Sequence, residues 1–209
     1  MEPREQLLEV QSVLDRLTKF RHLNGWAAVA AGILSIMAYL LIHWQFDVPL
    51  VFDSVGILIP VPGTTLLYYT FYLAGLLLAA MVICGLIVTI SLPKDLTAYG
   101  WRNLFKLVAV YAVYIIAGAA LAWALLQNTE IVTLRTLQTI PPMMCIFYGM
   151  SQLHAAQISL SSLKYFGFWL LGCGLLGCVL PQLSWALWAV GFGLGHIAIG
   201  WYVIKNKSI

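Results

Sequence analysis

Two short segments of this 209-residue chain place a histidine at the same point: Gly149-x4-His154-x-Ala156 and Gly191-x4-His196-x-Ala198. Both lie within apolar runs. An ionisable side chain in such a run is a candidate functional group. Two imidazoles at equivalent positions have the chemistry to ligate a haem iron or a transition metal. The competing reading is structural: a neutral imidazole bonds a backbone carbonyl or a nearby Tyr or Ser across a helix interface. No carboxylate stands close in sequence to orient either ring, as metal-bound histidines usually require. A strut is therefore the expected role, and on that reading Asn, which keeps a donor and an acceptor, should replace His196.

Met143-Met144-Cys145, after Pro141-Pro142, carries soft ligands suited to Cu(I). Successive helical side chains point about 100° apart, so the three do not converge on one ion. Packing is their expected role. The double proline implies a kink or a helix start, with Ile131 to Ile140 as an interfacial lead-in. Tyr68, Tyr69, Phe71 and Tyr72 gather beside a proline-containing apolar loop from His43 to Pro62. That loop could roof a cavity for an apolar ligand or lipid. Tyr68, Tyr72 and Tyr148 join His154 and His196 as candidate ligand-binding residues. The residue types name no cofactor, and no metal set is assigned.

Several chemistries are missing from the sequence. There is no phosphate-binding glycine loop, no HExxH, no GxSxG and no paired carboxylates within an apolar run. The expectation is a protein without catalytic activity.

The elements that must position these residues are membrane helices. Hydrophobic residues make up 62% of the chain and charged residues 9%, with a mean hydropathy of +0.91. Soluble domains carry about 25% charge. Lipid tolerates this composition, and long apolar runs rather than ten-residue alternation favour helices over a barrel. The expected fold is all-α: a polytopic bundle of six transmembrane helices at about Gly25–Leu41, Leu66–Leu92, Leu104–Leu126, Leu137–Ile158, Phe166–Val179 and Trp185–Ile204. Residues 25–209 form this domain. Residues 1–24 form an amphipathic helix, with Leu7, Val10, Leu14, Leu17 and Phe20 on one face, suited to lipid headgroups or a partner.

Charge sets the orientation. Arg4, Arg16, Lys19, Arg21, Lys94, Arg102, Lys106, Lys164, Lys205 and Lys207 fall on one side of such a layout, and Arg135 alone on the other. Positive residues stay inside, which places both termini in the cytoplasm and the chain in a bacterial inner membrane. Trp44, Trp101, Trp123, Trp185 and Trp201 are expected at the interfaces. The net charge of +3 reflects this bias and implies no nucleic-acid partner. Cys84, Cys145, Cys173 and Cys178 all fall inside spans, as packing residues.

The histidine segments belong to a wider internal match. Gly25-x6-Gly32 corresponds to Gly167-x6-Gly174, and basic residues precede the odd spans, a pattern consistent with three repeated hairpins. Gly172, Gly174, Gly191 and Gly195 are expected to let helices five and six approach closely.

The stretches Phe147-Tyr148-Gly149 through Lys164-Tyr165-Phe166-Gly167, Leu180-Pro181, and Trp188 through Gly200 resemble a family of small six-span bacterial membrane proteins of unassigned activity. The amphipathic lead-in and the Gly/Ala-rich first span are similar too. The genes of that family often sit beside a winged-helix regulator, which implies a regulated accessory role. His196 matches the family pattern; His154 stands where relatives carry Asn, and Gln157 where they carry Lys.

Three functions follow as expectations. The first is an accessory or sensory module that binds a lipid, a small apolar ligand or a membrane partner. The second is an oligomeric channel or facilitator for a small solute. The third is a haem- or metal-binding protein using His196 and His154. The first is favoured because few polar residues fall inside the spans.

Overall fold

The computed structural model describes residues 25–46, 98–127 and 134–207, with isolated helical positions between 82 and 90. The expected helix before Gly25, the apolar loop, and Tyr68 and Tyr72 lie outside the described residues. Among those residues the chain is all-helical. Helix α1 is Gly25–Phe46, α2 Ala98–Gln127, α3 Leu134–Ile158 and α4 Leu163–Val179. A 3-10 turn at Pro181–Leu183 leads into α5, Ser184–Trp188. A π-helical turn, Ala189–Leu194, then joins α5 to α6, Gly195–Lys207.

By length and composition, two described helices could cross a membrane: Trp101–Ala124, and Pro181–Asn206 taken as one. Gly25–Leu41 and Leu163–Val179 are apolar but shorter. At 1.5 Å per residue, the 17 residues of α4 extend about 25 Å, close to the roughly 30 Å of a bilayer core.

The double proline does not start a helix. Helix α3 begins at Leu134 and runs through Pro141 and Pro142, both buried, to Ile158. Leu137 and Gln138 therefore lack the amide hydrogens that residues four further on would ordinarily supply. What compensates is packing. A β-carbon placed at Gly177 would lie 2.9 Å from the Pro142 ring, and one at Gly174 would lie 2.9 Å from the Pro142 carbonyl oxygen. The proline turn fills the groove left by two glycines of α4.

Glycine ladders hold the bundle together. A β-carbon at Gly25 would meet the Gly200 oxygen at 2.5 Å, and one at Gly200 would meet the Gly25 oxygen at 2.6 Å. Seven residues along, a β-carbon at Gly32 would meet the Gly193 oxygen at 2.5 Å. Helices α1 and α6 are therefore antiparallel and in backbone contact over two turns. Gly149 and Gly167 make a reciprocal approach between α3 and α4, where a β-carbon on either would lie 2.9 Å from the other's oxygen. Only glycine allows such crossings.

Of the four glycines expected between helices five and six, Gly191 and Gly195 stand at that contact, and Gly174 packs on α3 instead. Gly174 abuts Pro142 and Ile146, Gly191 abuts Cys173 and Leu170, and Gly195 abuts Phe166 and Trp169. Gly172 packs on neither, because a β-carbon there meets nothing within 4 Å. The Gly25/Gly32 and Gly167/Gly174 pairs do similar work on different partners, α6 with the π turn and α3 respectively.

Helix α2 touches the rest along one stripe. Asn103, Leu107, Tyr111, Tyr114 and Gly118 recur at helical spacing, with Leu107 in a cluster with Ala155 and Leu163, and Gly118 against Phe147. The other faces of α2 are apolar and open: Phe105, Val113, Ile116 and Trp123 are each more than 60% exposed. Trp44, Trp101 and Trp201 are exposed. Trp185 is not, because it is buried in the main core with Cys145, Phe166, Leu170, Cys173 and Trp188.

The helices alternate in direction. Helix α2 opposes α3, α3 opposes α4, and α4 folds back at Leu180–Pro181 onto α5, the π turn and α6. At that corner Leu180 leaves the helical region with ψ 71°, as a residue before proline tends to. This alternation brings Arg102, Lys106, Lys164 and Lys205 to one end of the bundle. Polar side chains within the helices bond their own backbone, as Ser35 Oγ does to the Ala31 oxygen at 2.8 Å and Asn206 Nδ2 to the Tyr202 oxygen at 3.0 Å. Cys145, Cys173 and Cys178 are free.

Candidate binding site

His196 sits where the π turn ends and α6 begins. The turn is wider than an α-helix, and at its close the Gly195 N–H donates to the oxygens of both Val190 and Phe192. The imidazole is buried. Its Nδ1 is 2.6 Å from the Phe192 oxygen, and its Nε2 is 3.1 Å from the Tyr148 hydroxyl. A carbonyl oxygen can only accept, so Nδ1 carries the hydrogen. In the neutral ring Nε2 then accepts from the Tyr148 O–H. Both ring nitrogens are engaged, and the tautomer is set by the chain itself.

Aromatic rings enclose this pair. Phe192 stacks on Tyr148 at 5.0 Å between centroids and on His196 at 5.7 Å. The Phe166 ring meets His196 at 4.7 Å and 74°, edge to face. Trp188 lies 5.5 Å from Phe192 on the other side. Offset and edge-to-face pairs of this kind add about 0.5–1.5 kcal/mol beyond burial. Tyr148 also faces Tyr111 of α2 at 5.8 Å. The Tyr111 hydroxyl donates to Gln152 Oε1 at 3.0 Å, and Ser151 Oγ donates to the Tyr148 backbone carbonyl at 2.6 Å. Hydrogen bonds and ring contacts thus link α2, α3, α4, the π turn and α6 around Tyr148.

Two of the candidate residues, Tyr148 and His196, are therefore brought together. His154 is placed elsewhere. It is exposed, and its ring meets Tyr114 of α2 edge-on at 6.3 Å. The two histidine segments match in sequence, yet one imidazole faces out and the other in. Among the described residues, no group of three or more His, Cys, Asp or Glu could hold a metal ion. The chain matches none of the protein families, curated proteins or solved structures with which it was compared.

A polar seam along α3, ending at Ser159 just past its last residue, is not among the sequence expectations. Gln138, Gln152 and Ser159 are each buried to 2% exposure or less, with Cys145 at 1% between them. These four positions are seven residues apart, and that spacing within an apolar run was a readable sign of a buried face. Asn103, Ser184 and His196 are buried too. The interior is thus more polar than the few polar residues expected inside the spans would make it.

A Tyr111→Phe variant removes the donor to Gln152 and leaves Oε1 buried without it. The expected cost is about 1–2 kcal/mol in detergent unfolding, since an unpaired buried acceptor loses most of its solvation. A Tyr114→Phe variant, on the same face beside exposed His154, should cost much less.

Proposed function

We propose that this is a non-enzymatic integral membrane protein of six spans, with both termini in the cytoplasm, whose bundle serves as a binding or sensory module. The observation that carries the reading is the inside-out placement of polarity. Apolar side chains point outward over α2, α4 and α6, while Gln138, Gln152, Ser151, Ser184 and His196 are buried. A protein facing water would expose the opposite set. The gathering of Arg102, Lys106, Lys164 and Lys205 at one end supports a cytoplasmic face there. The closed Tyr148–His196 centre, with both imidazole nitrogens committed, favours a structural or ligand-contacting role over proton transfer or metal ligation. The resemblance to small six-span bacterial proteins accords with an accessory role in the inner membrane.

The topology is tested by substituted-cysteine labelling in a background lacking the native cysteines. Cysteines at positions 53 and 207 should label from opposite sides of intact cells. Labelling from the same side would sink the arrangement.

A facilitator for a small neutral solute is the second reading, and one observation favours it. Buried polar groups occur at successive levels of the bundle, from Gln138 and Ser184 through His196, bonded to half-buried Tyr148, to Gln152 and Asn103. Stopped-flow light scattering on proteoliposomes separates the two. Solute entry above that of empty liposomes, lost in a Gln152→Leu variant, selects the facilitator.

A further inference from the structure

The outward face of α3 turns polar where it reaches the basic end of the bundle. Between Cys145 and Ile158 its exposed residues are Met150, His154 and Gln157, which the helical period gathers into one stripe. Polar side chains inside an apolar span normally face the bundle interior, so His154 and Gln157 facing outward call for a polar partner there.

The neighbouring helices set a lysine on each side of the stripe. Leu107 of α2, Ala155 of α3 and Leu163 of α4 pack in one buried cluster. Lys106, His154 and Lys164 are each one residue from a member of that cluster, and all three are exposed. Ring contacts fix the direction in which they turn. Tyr111 meets Tyr148 and Gln152 on the inward side of α3, whereas Tyr114 meets His154. Going from Tyr111 to Tyr114 thus rotates outward around α2, and Lys106 lies about 80° further in the same sense. On α4, a β-carbon at Gly167 would meet Leu153 of α3, and Phe166 turns inward to His196. Lys164 lies about 60° from Gly167 on the side away from Phe166, which is again outward. Lys106 and Lys164 therefore flank His154 and Gln157 on one face.

The chemistry of this face selects its ligand. Among the described residues there is no Asp or Glu, so no carboxylate there neutralises the two lysines or receives a cationic headgroup. The Lys164 ammonium rests over the Tyr165 ring at 4.9 Å. His154 and Gln157 can donate to and accept from hydroxyl groups. Beyond them the surface is apolar, with Met150, Val113 and Phe168 exposed to receive an acyl chain. The geometry points to a binding site for an anionic phospholipid of the phosphatidylglycerol type, its phosphate drawn by Lys106 and Lys164 and its headgroup hydroxyls bonded to His154 and Gln157. The site rests on the membrane placement proposed above. At 1.5 Å per residue, Gln157 and His154 lie about 2 and 6 Å before the end of α3, within the headgroup layer of a bilayer surface there.

Native mass spectrometry of the full chain in detergent, titrated with phosphatidylglycerol or phosphatidylcholine, tests the site. Phosphatidylglycerol should bind the more tightly. Lys106→Gln and Lys164→Gln should each weaken it about fivefold, and the double variant about 25-fold. Gln157→Leu leaves the charge unchanged and should weaken it about two- to tenfold. Lys205→Gln removes the same charge from the same end. It stands nine residues after His196, on the opposite side of α6, and should leave the affinity nearly unchanged. Equal losses in Lys205→Gln and Lys164→Gln overturn the site, because the attraction would then be diffuse. Glycerol 3-phosphate binding as tightly as the lipid overturns it in favour of a free phosphate. A preference that emerges only in a Glu5→Gln/Glu9→Gln chain overturns it in favour of the acidic amino-terminal segment. A chain that needs detergent yet binds both lipids alike overturns the site alone. A chain that stays in aqueous buffer without detergent and ignores vesicles overturns the membrane placement itself.

Discussion

Gly200→Leu should leave little or no folded protein. A β-carbon at this position would stand 2.6 Å from the Gly25 oxygen and 2.8 Å from the Val29 amide nitrogen, and both atoms are backbone. A flexible side chain could move aside; a helix backbone cannot without separating α1 from α6 along its length. Overpacking a core costs about 1–3 kcal/mol where side chains can adjust, and this contact belongs at or above that upper end. Gly32→Leu should behave alike, because its β-carbon meets Gly193 oxygen at 2.5 Å and Ile197 nitrogen at 2.9 Å. Gly172→Leu is the matched control, with nothing within 4 Å to displace. Size-exclusion profiles and Tm in detergent check the set. A Gly200→Leu protein as monodisperse and stable as Gly172→Leu would refute the backbone contact.

His196→Leu should be the most damaging substitution in the aromatic centre. It strands the Tyr148 hydroxyl, which lies 3.1 Å from Nε2, in an apolar setting. It also removes the imidazole that Phe166 and Phe192 pack against. The expected loss is about 2–3 kcal/mol, of which the unpaired hydroxyl accounts for about 1–3. Read from sequence, Asn replaces His196 without penalty; the geometry makes Asn an intermediate case. Its side chain can keep the bond to the Phe192 oxygen one turn back, but it is too short to reach Tyr148 as well. The order of stability should therefore be His, then Asn, then Leu. Tyr148→Phe combined with His196→Leu should recover part of the loss, because it deletes the stranded hydroxyl. Equal Tm values for wild type and His196→Leu would dismiss the strut.

The apolar runs made the all-helical architecture legible, and the boundaries of α1, α4 and the last hairpin were readable to within a few residues. Gly25, Gly32, Gly167 and Gly174 stood out by their spacing, although nothing in that spacing names the partner each pair meets. Gly172 shows the limit of composition: it is as much a glycine as Gly174, and only its direction from the helix axis separates them. The pairing of Tyr148 with His196 could not be read either, because it depends on how α3 lies against α6 across 48 positions of chain. The similarity of the two histidine segments pointed toward equivalent roles, and the fold assigns them opposite surroundings. Trp185 illustrates the same difficulty. An indole near a helix end fits a membrane interface as well as a core, and packing against Trp188 at 6.1 Å decides for the core.

The π-helical turn at Ala189–Leu194 works as a phase adjuster. The segment before it must point Ser184 and Trp188 at α3, while the segment after it must hold Gly200 against α1 and His196 against Tyr148. A uniform α-helix advances about 100° per residue and carries no spare angle. The wider turn absorbs one residue's worth of rotation and so uncouples the aiming of the two halves. Forcing all six residues of Ala189–Leu194 into ordinary helix would add that residue's rotation back, and everything beyond would swing by about 100°. Gly193 would no longer align with Gly32, and His196 would face away from Tyr148. A one-residue deletion that removes the absorbed residue is thus a milder insult than a change that straightens the turn with every residue kept, which would detune both interfaces of the last helix at once.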